Sequence, residues 1–290
     1  MKRYLLLISM LAAFVAESAA REVYRLNDDW TFYFRSENSA DDARNITLPH
    51  TWNLDALAGN SEYQRTTGNY MRRLYIPADW ASKRLFLRFD GVQTVADVFV
   101  NGYHVGEHRG GFTAFTFEIT GRVKFGAENR LLVVVSNTFQ NDVLPTSTEQ
   151  NVYGGIYRDI SLLVVSKDHI ALGHFGDTGV RITPALKDGK ADIRVETNVE
   201  GEGTVSVELL DAAGKTVASA EGADAQLHLD APHLWNGVKD PYLYTCVVRL
   251  SSSGTVVDEV STRVGLRTFS VDSKNGFFLN GRPYPLHGVS

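Results

Sequence analysis

Only one cysteine, Cys246, stands in the 290 residues. An intrachain disulfide is therefore excluded, and stability has to come from packed apolar cores. The residue lies inside the apolar run Leu243 to Leu250, where a buried, unreactive thiol is expected. Runs of like charge and low-complexity tracts are missing, and the net charge is only −5. That balance gives no reason to expect nucleic acid or an anionic membrane as a partner. Neither the phosphate-cradling Walker loop nor the dinucleotide glycine pattern occurs, which removes the common nucleotide sites. A Gly-x-Ser-x-Gly elbow for a serine nucleophile is also missing. The 8 histidines have no accompanying cysteines and no His-Glu-x-x-His spacing, so structural or solvent-facing roles are expected for them. A Ca²⁺ or Na⁺ ion held by backbone oxygens stays open. Aspartate and glutamate are plentiful, yet nothing in their spacing nominates a catalytic pair, and most belong on the solvated surface. No stretch from Arg21 to Val271 keeps a clean helical period; Ala78 to Lys83 reads as a turn or a single helical turn.

The sequence opens on a basic start, Lys2-Arg3, followed by an apolar run from Leu5 to Val15 and the small residues Ser18-Ala19-Ala20. This is the pattern of a secretory signal peptide over residues 1–20, cleaved before Arg21. The apolar run is too short to span a bilayer comfortably. The protein is thus expected to be exported, to a bacterial periplasm or the extracellular space, with no membrane association after signal removal.

The body of the chain alternates polar and apolar residues in short runs. Arg84 to Asp90, Val95 to Val100, Tyr103 to Gly106, Leu131 to Ser136 and Ile160 to Val165 read as strands, the last two as strands buried on both faces. After a boundary near Ser166 to His174, the runs at 192–199, 204–210, 216–220, 242–250 and 256–264 follow. About seven short alternating strands in roughly a hundred residues describe an immunoglobulin-like sandwich. Asn101-Gly102 suits a type I′ hairpin turn, and Gly110-Gly111 and Gly154-Gly155 suit tight turns. Phe89, Phe99, Phe112, Phe115 and Phe117 are expected to fill a core, and Arg158 beside Asp159 to form an ion pair at a strand end.

The last stretch, Gly276-Phe-Phe-Leu-Asn-Gly-Arg-Pro-Tyr-Pro-Leu-His-Gly-Val-Ser290, reads as a strand, an Asn-Gly turn and a returning strand. A terminal apolar strand leaves backbone groups in want of partners. The expectation is that the chain continues in its natural setting, and that Pro285 to Ser290 are loosely packed.

Several motifs recur in one order. Leu48-Pro-His-Thr-Trp-Asn53, Gly68-Asn-Tyr-Met-Arg-Arg73, Phe89-Asp-Gly-Val92, Val98-Phe-Val-Asn-Gly102, Gly110-Gly-Phe112 and Gly154-Gly-Ile-Tyr-Arg-Asp159 come first. Leu234-Trp235, Asp240-Pro-Tyr-Leu-Tyr244 and Gly265-Leu-Arg-Thr-Phe269 follow. Together they resemble the family 2 glycoside hydrolases, the β-galactosidase, β-glucuronidase and β-mannosidase group, from about Trp30 to Ser290. The resemblance implies an all-β chain: a sugar-binding jelly roll over 21–166, an immunoglobulin-like sandwich over 167–270, and over 271–290 the start of a truncated (β/α)8 TIM barrel. It places a β-galactosidase-like retaining exo-glycosidase first among the activities. A free-standing carbohydrate-binding or adhesive protein is the alternative from another class.

By the same resemblance, an Asp ahead of the Gly-Ile signature reaches into the active site and binds sugar hydroxyls; the matching residue here is Glu149, one methylene longer. An ordinary loop charge is its other reading. Gln150 and Asn151 are adjacent hydroxyl-binding candidates, and Asn60 and Glu62 belong to a second loop facing the same cleft. The catalytic pair, two glutamates roughly 5 Å apart, is expected beyond Ser290, so no residue present takes that role. No cofactor is evident, a Mg or Na ion being placed by the resemblance in the barrel domain. The implied partner is a β-linked glycoside, and family members often form homo-oligomers.

Overall fold

The computed structural model describes residues 21–34, 43–54, 62–144 and 153–288. Every regular element among them is a strand or a short 3₁₀ turn. Ten strands build the first sandwich: β1 (Glu22–Arg25), β2 (Trp30–Phe34), β3 (Arg44–Ile46), β4 (Thr67–Ile76), β5 (Arg84–Phe89), β6 (Val95–Val100), β7 (Tyr103–Arg109), β8 (Phe115–Glu118), β9 (Ala127–Ser136) and β10 (Ile160–Val165). They form two antiparallel sheets, in the orders β1-β10-β5-β8 and β3-β2-β4-β9-β6-β7. Ala78–Ser82 is a single 3₁₀ turn between β4 and β5.

The core of this sandwich is aromatic and aliphatic. Trp30, Phe32, Tyr70, Phe89, Phe115 and Ile156 are all buried in it. Phe89 stacks on Phe115 with ring centroids 4.6 Å apart and 7° between the planes. Phe99 and Phe117 are half-buried, and Phe112 is 60% exposed, against the expectation that all five phenylalanines fill the core. The reason is local: β7 ends at Arg109, so Phe112 sits in an irregular turn where the strand period no longer aims it inward. Leu131 to Ser136 also departs from expectation, because β9 alternates buried and half-buried residues and so has one inner face. Ile160 to Val165 is buried on both sides except for Ser161, since its outer face is covered by the connection that follows.

The second unit contains β11 (His169–Ile170), β12 (Val180–Lys187), β13 (Lys190–Thr197), β14 (Val199–Glu200), β15 (Thr204–Leu210), β16 (Thr216–Glu221), β17 (Asp224–Leu229), β18 (Tyr244–Ser252) and β19 (Thr255–Val264). Its sheets run β12-β13-β17 and β16-β15-β18-β19, with a small β11-β14 pair beside them. The three- and four-stranded sheets enclose a core of Ile193, Val195, Val207, Leu209, Cys246, Val248 and Leu250. Cys246 is the buried thiol expected from its apolar surroundings, and burial pushes it up to about 11. Its thiolate is thus scarce at neutral pH, and the residue acts as a small apolar filler.

A final three-stranded hairpin unit follows: β20 (Phe269–Asp272), β21 (Gly276–Leu279) and β22 (Arg282–Pro283). Asn280 and Gly281, at φ 49° and 73°, supply the two positive-φ positions of its turn. Pro285 to Gly288 are all exposed, as their expected loose packing implies, and Val289 and Ser290 lie outside the described residues. No closed barrel occurs among the described residues.

The stacked Phe89–Phe115 pair sits at full burial, so Phe89→Ala removes a large side chain that its neighbours cannot replace. A loss of about 3–5 kcal/mol in unfolding free energy is expected, measured by denaturant titration of the first sandwich's tryptophan fluorescence.

Candidate functional site

At one end of the first sandwich four connections meet: 47–54 after β3, 62–66 before β4, 137–144 after β9 and 153–159 before β10. Sequence motifs far apart in the chain pack together here. The His50 ring nitrogen Nδ1 and the Tyr70 hydroxyl are 2.7 Å apart. Gly155, at φ 120°, has no room for a side chain: a Cβ there would lie 2.5 Å from the Tyr70 hydroxyl and 2.6 Å from the His50 carbonyl. Gly154 presses as closely on the Trp52 indole, at 2.4 Å from where its Cβ would be. Trp52 in turn stacks on Phe32 at 5.9 Å. The two glycines are thus required both for their backbone angles and for close approach.

A second layer of polar bonds fixes the loops above this packing. The Gln64 carbonyl accepts from Asn53 Nδ2 at 2.9 Å, Asn137 Nδ2 at 2.9 Å and Trp52 Nε1 at 3.3 Å. Asn53 Oδ1 accepts from the Gln64 amide at 2.8 Å, and Asn137 Oδ1 from the Thr66 amide at 2.7 Å. Both asparagines are almost fully buried, at 0% and 1% exposure. Across the end of the sandwich, Gln93 and Gly155 exchange two backbone bonds of 2.9 and 3.1 Å. The Gln93 side chain accepts from the Tyr153 amide at 3.0 Å, and Thr51 Oγ1 donates to the Tyr153 carbonyl at 2.5 Å.

These bonds hold the two ends of the rim that carry the expected sugar contacts. Glu62 is exposed beside Tyr63, whose hydroxyl is pushed up by burial and which lies near enough to Tyr153 to feel its charge. The loop holding Glu62 and the segment re-entering at Tyr153 are therefore neighbours. Asn60, Glu149, Gln150 and Asn151 lie outside the described residues. The buried asparagines and the Gln64 main chain were not singled out in the sequence. Asn53 closes the Pro-His-Thr-Trp-Asn motif and offered one signal; Asn137, directly after an apolar strand, offered a weaker one. Tyr153, 45% exposed, adds an aromatic face to the rim, with Tyr157 6.1 Å away.

The expected Arg158–Asp159 ion pair does not form. Asp159 instead accepts from Asn27 Nδ2 at 2.8 Å and lies 3.3 Å from Arg25, while Arg158 lies over the Tyr157 ring at 5.7 Å. The chain bends at Arg158, and Asp159 is taken up by Asn27 and Arg25 from the first strand and the turn after it. Among the described residues no group of three His, Cys, Asp or Glu side chains converges as metal ligands. No described helix is long and apolar enough to cross a membrane.

The chain thus pairs a first sandwich, with a braced loop rim at one end, with a second, immunoglobulin-like sandwich. The family description "Glycosyl hydrolases family 2, sugar binding domain" matches residues 23–166, and "Glycosyl hydrolases family 2" matches 174–267. The chain belongs to glycosyl hydrolase family 2. It is 42% identical to a β-glucuronidase of Bacteroides fragilis over 93% of its own length and 41% of the relative's. Among solved structures it resembles an FMN-binding β-glucuronidase from Facaelibacterium prausnitzii L2-6, at TM-score 0.86 and 35% identity, covering 94% of this chain and 43% of that one. A putative β-galactosidase from Bacteroides fragilis matches at TM-score 0.82 and 34% identity, over 91% and 44%. The chain spans less than half the length of each of these relatives.

Two outcomes follow from the geometry. Burial, with Arg44 adding to it, pulls the His50 imidazolium down to about 4. An unfolded histidine titrates near 6.5. The unfolded state thus binds more protons between these values, and the stability His50 contributes is full above about pH 6.5 and lost as the pH falls toward 4. Unfolding free energy should drop by about 1–3 kcal/mol across that window, and His50→Gln should flatten this part of the pH profile. Asn137→Ala strands the Thr66 amide and removes one donor from Gln64; a cost of about 2–3 kcal/mol is expected, with faster amide hydrogen exchange at Thr66.

Proposed function

We propose that this chain is the N-terminal, non-catalytic part of an exported retaining exo-β-glycosidase, and that the longer protein acts on β-glucuronides. The observation that carries the substrate is the 42% identity to the Bacteroides fragilis β-glucuronidase over 93% of the chain. The resemblance placed β-galactosidase first; the identity to that relative moves the proposal to glucuronides. A β-galactosidase is the second reading, favoured by the 34% identity to the protein described as a putative β-galactosidase.

In this reading the rim contributes binding and the following barrel contributes chemistry. Retaining hydrolysis uses one carboxylic acid to protonate the leaving oxygen and a second carboxylate as nucleophile, and it needs no cofactor. Any Mg or Na ion belongs with that barrel. Glu149, Gln150, Asn151, Asn60 and Glu62 would supply acceptors and donors to sugar hydroxyls from the jelly-roll side. The bracing by Asn53, Asn137 and Gln93 supports this role, because binding groups on loops act best when a rigid scaffold holds the loop ends. Export rests on the basic-apolar-small pattern of residues 1–20.

The test compares two proteins, this chain and the chain extended to the length of its relatives, on nitrophenyl β-glucuronide, β-galactoside and β-mannoside. Turnover only by the longer protein, fastest on the glucuronide, is expected. Turnover by the 290 residues alone would refute the non-catalytic role, and a preference for galactoside would select the second reading. In the longer protein Glu149→Ala should weaken sugar binding by about 1–3 kcal/mol, seen as a higher KM; unchanged kinetics would reduce Glu149 to a loop charge.

A further inference from the structure

The residue directly after the small-residue stretch Ser18-Ala19-Ala20 is Arg21, and it crosses from one sandwich to the other. Strand β1 pairs with β10 so that Glu22 faces Val164. One step further, Arg21 arrives where β10 ends and the chain leaves the first sandwich. Its side chain is only 11% exposed and meets Asp258 of β19, which is fully buried. Arg21 Nε donates to Asp258 Oδ1 at 3.0 Å and Nη2 to Oδ2 at 2.7 Å, a two-pronged geometry. Nη2 also donates to the Ile170 carbonyl at 3.0 Å, while the Ile170 amide donates to Asp258 Oδ2 at 2.8 Å. The Glu259 amide donates to Oδ1 at 2.9 Å. Ile170 itself is part of the second core.

Asp258 therefore receives two backbone donors from its own sandwich and one cation, and that cation comes from 237 residues away in sequence. A buried carboxylate without a cation is costly, whereas a paired one sets register and orientation. The other ionic crossing between the units is more exposed: Arg84 joins Glu118 of the first sandwich, at 2.6 Å, to Glu200 of the second, also at 2.6 Å.

We propose that Arg21 is the latch that fixes the second sandwich to the first. Without its cation, Asp258 would lie buried with backbone donors alone. The latch needs neither export nor glycosidase activity, so it stands or falls apart from the proposed function.

Thermal melting and limited proteolysis of the full chain compare the parent with Arg21→Ala, Arg21→Lys and Arg21→Ala/Asp258→Asn. Arg21→Ala should lower the melting midpoint by roughly 5–15 °C and speed cleavage within residues 166–179. Arg21→Lys should recover part of the loss, and the double variant should melt above Arg21→Ala because the unpaired charge is gone. The double variant also serves if Arg21→Ala does not fold. Melting of Arg21→Ala within a degree of the parent, or a double variant no better than the single, would overturn the latch.

Discussion

The close approach of the Gly154-Gly155 backbone to Trp52, Tyr70 and the His50 carbonyl is the constraint on which the rest of the rim depends. Two aromatic side chains from separate segments, Trp52 and Tyr70, lie against main chain with no side chain between them. That contact fixes where the chain turns into β10 and leaves 153–155 facing Gln93. Once it is made, the remaining bonds are short-range consequences. Gln93 reaches Gly155 through the backbone and Tyr153 through its side chain, and Thr51 closes on the Tyr153 carbonyl. A methyl group at either glycine would collide with backbone or with a ring packed on both faces, so the neighbours have nowhere to yield.

The bracing above that contact uses buried asparagines and main chain. An asparagine can give and accept in opposite directions at once. Both do so on the single segment before β4: Asn53 with the Gln64 amide and carbonyl, Asn137 with the Gln64 carbonyl and the Thr66 amide. Such side chains resist sliding in either direction, which an apolar contact does not. The rim is thus positioned by directional bonds, and the sandwich below it by non-directional burial.

Sequence reading reached the architecture because both sandwiches keep period-two alternation in most strands, and because the motifs at 48–53 and 154–159 mark turns with few alternatives while that at 68–73 marks a strand. Its misses have physical causes. Phe112 carries the same side chain as Phe115, and only the end of β7 at Arg109 decides that one faces water and the other the core. Arg158 and Asp159 are adjacent, yet Asp159 is claimed by Asn27 and Arg25, residues more than 130 positions away, and Arg158 lies over the Tyr157 ring. Gln64 was invisible for a different reason: its role is played by a carbonyl that every residue possesses. Glu149, Gln150, Asn151 and Asn60, taken from the resemblance, fall in segments the described residues only bracket.

The distribution of charge across the rim argues for a division of labour. Hydrolysis by two carboxylates requires both to be held a few ångströms apart, in environments different enough to keep one protonated. Among the described residues of the rim, Glu62 is exposed and Asp159 is tied to Asn27 and Arg25. What the rim holds besides is braced amide, hydroxyl and aromatic surface, the chemistry that meets sugar hydroxyls by hydrogen bonding and ring faces by stacking. An acid and a nucleophile buried in this rim would set uncompensated charge beside the asparagine network, so the proposed reading places binding groups on the braced rim and reacting groups on a separate domain.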